Sequence, residues 1–169
     1  QYNGSSWIQL GADLDGEANY DQSGDSVSLS SDGSIVAISA TGNEGGGNSR
    51  GHVRVYQYSN GNWNELGSDI DGEAGGDNSG YSISLSSDGS IVAIGATNNE
   101  GSGNSGGHVR VYEYDGTDWN KLGADIDGEA QWDYSGVSVS LSSDGNIVAI
   151  GAFQNDGVNG SLSGHVRVY

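Results

Sequence analysis

Ser82-Ile83-Ser84-Leu85-Ser86-Ser87-Asp88-Gly89-Ser90-Ile91-Val92-Ala93-Ile94 decides the fold. Its first half alternates apolar residues with serine, the period-two pattern of a half-buried strand whose second face carries small side chains. Asp88-Gly89 then marks a tight hairpin, because glycine accepts the positive φ that such a turn demands. Residues 91–94 are apolar at every position, so both faces must be covered and the strand belongs inside a stack of sheets. The stretch recurs 56 residues earlier, with Val27, Leu29, Asp32-Gly33 and residues 35–38, and 56 residues later, with Val139, Leu141, Asp144-Gly145 and residues 147–150.

Working outward, the whole chain has this period. Trp7, Trp63 and Trp119 each open a segment that ends in Leu-Gly, followed by Asp-x-Asp-Gly-Glu-Ala and Asp-x-Ser-Gly. Each repeat closes on Gly-His-Val-Arg-Val-Tyr, at 51–56, 107–112 and 164–169, the third copy one residue late because of an insertion in the Gly/Asn-rich loop before it. The repeat frames are 1–56, 57–112 and 113–169 of a single domain. Gln1-Tyr2 matches Gln57-Tyr58, so residue 1 is what would follow residue 169. With no signal-peptide pattern and no initiator Met, the chain reads as a mature piece or a segment of a longer array.

Each repeat holds four short strands: the serine-alternating strand, the apolar strand, the His-Val-Arg-Val-Tyr strand and the Trp strand, the last entered through Asn60-Gly61 or Asp115-Gly116. No apolar pattern of helical period extends beyond a turn. Four antiparallel strands per unit predict an all-β propeller segment of three blades. A parallel β-helix fits less well, since its coils are much shorter than this period and lack internal hairpins. Closed propellers have roughly 4 to 8 blades, so three leave two apolar faces in need of cover. Two chains joined as a ring, further blades of a longer parent chain, or an end-to-end filament would each supply it.

Composition narrows the function. The 169 residues include 31 Gly, no Pro, Cys or Met, 33% hydrophobic residues, and 23 acidic against 5 basic side chains, for a formal charge of −18. No apolar run approaches the roughly 18 residues of a spanning helix, so no membrane insertion is expected. Nucleic acid is excluded as a partner, because phosphate binding needs Lys and Arg. Cysteine nucleophiles and thiolate zinc sites are absent. High charge with modest apolar content is also a mark of disorder, but here the apolar residues are gathered into short β-branched runs between turns, as a folded all-β chain requires.

The residues resemble the FG-GAP repeat family, the blades of integrin-α-type propellers. Ser79-Gly80-Tyr81-Ser82-Ile83-Ser84 stands where that family has Phe-Gly and its following strand, and Ile94-Gly95-Ala96-Thr97 where it has Gly-Ala-Pro. Residues 107–112 are similar to its Gly-x-Val-x-Val-Tyr strand, and the Trp119 segment to the outer strand of the Trp-containing subtype. The resemblance covers all three repeats and implies an extracellular adhesion or surface protein. Two departures matter. The family's Asp-x-Asp-x-Asp-Gly calcium loop is here only Ser-Ser-Asp-Gly, and the proline of Gly-Ala-Pro is replaced by Thr41, Thr97 and Phe153.

The densest polar cluster is Asp13, Asp15, Glu17 and Asp21, repeated as Asp69, Asp71, Glu73, Asp77 and as Asp125, Asp127, Glu129, Asp133. Alternating carboxylates around a Gly turn suit Ca2+, which takes about 6 to 8 oxygens; the alternative is a solvated connection whose Asp side chains hydrogen-bond loop backbone. His52, His108 and His165 recur identically, which reads as packing or hydrogen bonding, and Arg54, Arg110 and Arg167 are expected to pair with neighbouring acids. The repeated Trp residues cap a hydrophobic layer or offer a sugar-stacking platform. Trp132, beside Tyr134, stands in one repeat only and is the better candidate for ligand contact. Asn3-Gly-Ser5 and Asn159-Gly-Ser161 are glycosylation sequons.

No Gly-x-Ser-x-Gly elbow is present, and acid pairs of the glycosidase kind can be assembled from any loop. The expectation is a non-enzymatic extracellular module that self-associates. The alternatives are a glycan- or protein-binding propeller using the loops at 41–50, 97–106 and 153–163, and, less supported, a hydrolase or lyase on the same frame.

Overall fold

A computed structural model describes residues 1–44, 49–101 and 103–169. Residues 45–48 and 102 of the variable loops lie outside the described residues. The described residues are all-β, with no helix among them.

Three antiparallel sheets follow one another along the chain. The first runs β1 (Ser23–Leu29), β2 (Ile35–Ala40), β3 (His52–Ser59), β4 (Asn62–Glu65), with β5 (Ile70–Asp71) also on β3. The second runs β6 (Ser79–Leu85), β7 (Ile91–Ala96), β8 (His108–Tyr114), β9 (Trp119–Asp127). The third has β10 (Ser138–Leu141), β11 (Val148–Ala152) and β12 (His165–Val168). The sheets thus hold three to five strands and do not close into a barrel. The four-strand unit expected of each repeat is continuous in the second sheet; in the first its Trp strand is divided into β4 and β5, and in the third it is missing. Residues 1–22 contribute a single antiparallel bridge, Tyr2 to Trp7, equivalent to the Tyr58–Trp63 and Tyr114–Trp119 pairs.

The turns form as their residues dictate. Asn60 and Gly61 both take positive φ, 53° and 85°, the geometry of a two-residue hairpin turn. In the Ser-Asp-Gly turns the aspartate closes the loop: Asp88 accepts from Ser90 N at 3.0 Å, Ser86 Oγ at 2.7 Å and Ser90 Oγ at 2.8 Å. Those donors, the Ser90 amide foremost, hold its carboxyl down at about 2. Asp144 sits at about 2 through Ser142 and Asn146, and Asp32 is lowered through Ser34 and Ser30. Each of these three carboxylates is therefore engaged by hydrogen bonds within its own turn.

The alternating serines join the sheets. Ile83 N donates to Ser26 Oγ at 3.2 Å, Leu85 N to Ser28 Oγ at 2.9 Å, and Leu141 N to Ser84 Oγ at 3.0 Å. The turns follow the same rule, Ser31 N bonding Ser87 O and Ser87 N bonding Ser143 O, each at 2.8 Å. β1, β6 and β10 are the edge strands of their sheets, and an edge amide without a partner is costly once buried. A serine is small enough to let the next strand approach and carries the oxygen that strand needs.

Between the sheets lies the core. Ala37, Val53, Val55, Ile70, Ile83, Leu85, Val92 and Ile94 form one cluster, and Ala93, Val109, Val148 and Ile150 a second. Each fully buried aliphatic side chain contributes about 1.5–3 kcal/mol. β7 is buried along its whole length, as an apolar strand inside a stack must be.

Candidate functional site

The acidic loops do not each gather on one centre. Arg54 on β3 binds Asp69 through two hydrogen bonds of 2.9 and 3.0 Å and also pairs with Glu17 of the preceding loop. Arg110 on β8 repeats this with Asp125 at 2.9 and 2.8 Å and with Glu73. Each guanidinium is a clamp between two successive loops, so Asp69 and Glu73, neighbours in sequence, serve different arginines. The Arg110 hydrogen bonds hold the Asp125 carboxyl well below the usual carboxylate range against the opposing effect of burial, and Lys121 at 2.7 Å adds to them. For Asp69 burial is the largest influence and raises the pKa, but Arg54 and Glu65 outweigh it and the net shift is downward.

The histidines lie beside these clamps. Glu17, His52 and Asp69 approach one another closely enough to hold a metal ion, as do Glu73, His108 and Asp125. In both groups an arginine already supplies the positive charge the carboxylates need. Burial, then the adjacent Arg110, pushes the His108 pKa down, so its imidazole is neutral near pH 7.

The remaining predicted ligands divide by depth. Asp21, Asp77 and Asp133 are buried and accept from the amides of Ala18, Ala74 and Ala130 at 2.7, 3.0 and 2.9 Å. Asn99 and Asn155 also donate to Asp77 and Asp133, at 3.1 and 2.8 Å. Asp13 is exposed and accepts from Gln9; Asp15, Asp71 and Asp127 are exposed, and Glu129 faces His165 at 3.5 Å and Arg167 at 3.8 Å. Open clefts recur beside these loops: one of about 510 Å³ includes Glu73, Asp77, Asn99 and Glu100, and one of about 440 Å³ includes Glu17, Asp21, Asn43 and Glu44. A third, of about 660 Å³, includes Glu129, Asn155 and Asp156.

Trp132 and Tyr134 are brought together, ring centres 6.5 Å apart, and Phe153 joins them 5.8 Å from Tyr134. All three positions carry smaller side chains in the second repeat, Gly76, Asn78 and Thr97. Both Trp132 and Tyr134 hold positive φ, 68° and 52°, which costs non-glycine residues about 1–2 kcal/mol. The sequons lie on the surface: Asn3 is exposed, its Oδ1 accepting from Ser5 and Ser6, and Asn159 is in an exposed turn.

Apolar side chains are also exposed on the outer faces of the stack. Ile83 and Leu85 are 7% and 8% exposed where they meet the first sheet, whereas their equivalents Val27 and Leu29 are 62% and 59% exposed. At the other end Val166 and Val168 are 68% and 66% exposed, while their equivalents Val53 and Val55 are buried, and Ile147 is exposed where Ile91 is buried. One end shows the half of the contact that receives a preceding sheet, and the other shows the half that receives a following one. Compared with protein-family models and with curated proteins, the chain finds no match.

Proposed function

We propose that the chain is a non-enzymatic structural module, three blades of an FG-GAP-type β-propeller, that assembles outside the cell through blade–blade stacking and strand completion into a ring or filament. The observation that carries this reading is the pair of bare outer faces, which are the two halves of a contact the chain already makes twice within itself. Self-association covers both, as would further blades of a longer parent chain. Such a head-to-tail contact closes into a ring or propagates according to its rotation. The strongly acidic surface keeps the assembly soluble, and the clefts beside the acidic loops are where Ca2+ would bind. Sedimentation velocity on the chain at micromolar concentration is expected to give multiples of the monomer mass, with further growth on adding Ca2+ and reversal by chelator. A monomer under both conditions refutes self-assembly, and an assembly indifferent to Ca2+ refutes the cation part alone.

The convergence of Trp132, Tyr134 and Phe153 favours a second reading, glycan binding by stacking on exposed rings. Glycan-array binding that Trp132→Ala abolishes is the expected result; an array on which the parent chain binds nothing removes this reading.

A further inference from the structure

Two contacts join each Trp strand to its surroundings, and both are open at the third sheet. The first is made by tryptophan. Trp63 Nε1 donates to Leu10 O at 2.9 Å and Trp119 Nε1 to Leu66 O at 2.8 Å, each reaching the Leu-Gly of the repeat before it. Gly11 and Gly67 lie close under those indoles, while Gly123 has open space at the same point. Leu122 therefore offers a carbonyl seat at which no indole sits, and Trp7 is an indole without a seat, 81% exposed.

The second is the arginine clamp. Nε of Arg54 donates to Asp69 and Nε of Arg110 to Asp125. Nε of Arg167 is buried and has no partner among the described residues, and neither has Nε2 of His165 on the same strand. Arg167 otherwise reaches the Asp127 carbonyl at 2.5 Å and Glu129 at 3.8 Å and lies over the Tyr169 ring, 5.5 Å from its centre. A buried donor left without an acceptor is destabilising, because it has lost its water and gained no partner. The acid that stands to Arg167 as Asp69 stands to Arg54 would lie in the strand the third sheet lacks. In this chain the residue equivalent to Asp69 and Asp125 is Asp13.

We propose that residues 1–15 of a second copy of this chain complete the third sheet as its fourth strand, with Asp13 on the Arg167 guanidinium and the Trp7 indole on the Leu122 carbonyl. This rests on the self-assembly reading above and names its joint. One placement satisfies both contacts. Val53 pairs with Ile70 and His52 with Asp71, and Val109 with Ile126 and His108 with Asp127; the same register sets Leu14 against Val166 and Asp15 against His165. The incoming hairpin is already formed, the Tyr2 and Trp7 rings lying 5.5 Å apart as Tyr58–Trp63 and Tyr114–Trp119 lie 5.0 and 5.3 Å apart. The placement also brings Ser23-Gly24 of the second copy to the cleft of about 400 Å³ lined by Gly151, Ala152, Gly164 and His165. Within the chain, the equivalent glycines Gly51 and Gly107 are filled by Ser79 and Ser135.

The test is a charge exchange followed by sedimentation velocity on the 169-residue chain. Asp13→Arg and Arg167→Asp, each alone, set like charges against each other at every joint and are expected to weaken association by at least about tenfold. An equimolar mixture of the two variants restores opposite charges at every joint and is expected to assemble with strict alternation. Trp7→Ala, at an exposed position that does not threaten folding, is expected to weaken association while leaving the monomer's melting midpoint unchanged. Parent chains that assemble while the single variants assemble equally well, or while the mixture stays monomeric, overturn this joint and leave self-assembly standing. A monomeric parent chain overturns both.

Discussion

Gly107→Ala is expected to lower the melting midpoint of the dissociated chain by roughly 10 °C, about 3 kcal/mol for a domain of this size. Gly107 holds φ at 73° and forms a parallel bridge with Ser135 of the next repeat. A Cβ there would lie far inside van der Waals contact of the Ser135 carbonyl oxygen and within 2.7 Å of its nitrogen. Both obstacles are backbone, so no rotamer change relieves them. The left-handed conformation costs alanine about 1–2 kcal/mol, and forcing the two backbones apart costs about 1–3 kcal/mol more. Gly164 is the comparison. It also has positive φ, 69°, but the nearest atom to an added Cβ is the Phe153 carbonyl oxygen of its own repeat at 3.1 Å. Gly164→Ala should therefore show only the smaller, conformational part of the loss, measured by calorimetry on both variants. Equal losses at the two positions would mean that the approach of neighbouring sheets is not what demands glycine at 107.

How much of this was legible in the sequence depends on whether a contact stays within one repeat. The strands and hairpins of Ser82 to Ile94 could be read directly, because alternation, Asp-Gly and a continuous apolar run are local signals. The role of the serines was only half visible. Alternation marks a face of small residues, but that Ser28 serves the amide of Leu85 depends on which sheet lies alongside. In the acidic loops, nearness in sequence does not name the partner: Asp69 and Glu73 stand together in sequence, yet strand pairing hands them to Arg54 and Arg110. A signal existed, since pairing the Asp-Ile-Asp segment antiparallel to His52-Val53 already sets Asp69 beside Arg54. The tryptophans likewise have an acceptor 53 residues back, a near-period separation that no local pattern exposes. Phe153 could be seen only as a residue in the place of a proline, and it took the fold to bring it to Tyr134.

Leu85→Ala and Leu29→Ala remove the same atoms from equivalent positions of successive repeats and are expected to have opposite signatures. Leu85 is 8% exposed and belongs to the cluster that includes Val53, Val55 and Val92, so truncation leaves a cavity between the first and second sheets. The expected cost is about 2–5 kcal/mol, read as a lower midpoint in urea. Leu29 is 59% exposed, so in the monomer its truncation should fall within about 0.5 kcal/mol of the parent. Its effect should appear in assembly, where the Leu29 face meets the Val166 and Val168 face of another copy and the lost methyls weaken association without altering the fold. The pair thus separates folding from stacking with one substitution. A Leu29→Ala chain as unstable as Leu85→Ala would show that the first sheet is covered within the monomer, and one that assembles like its parent would show that this face takes no part in the joint.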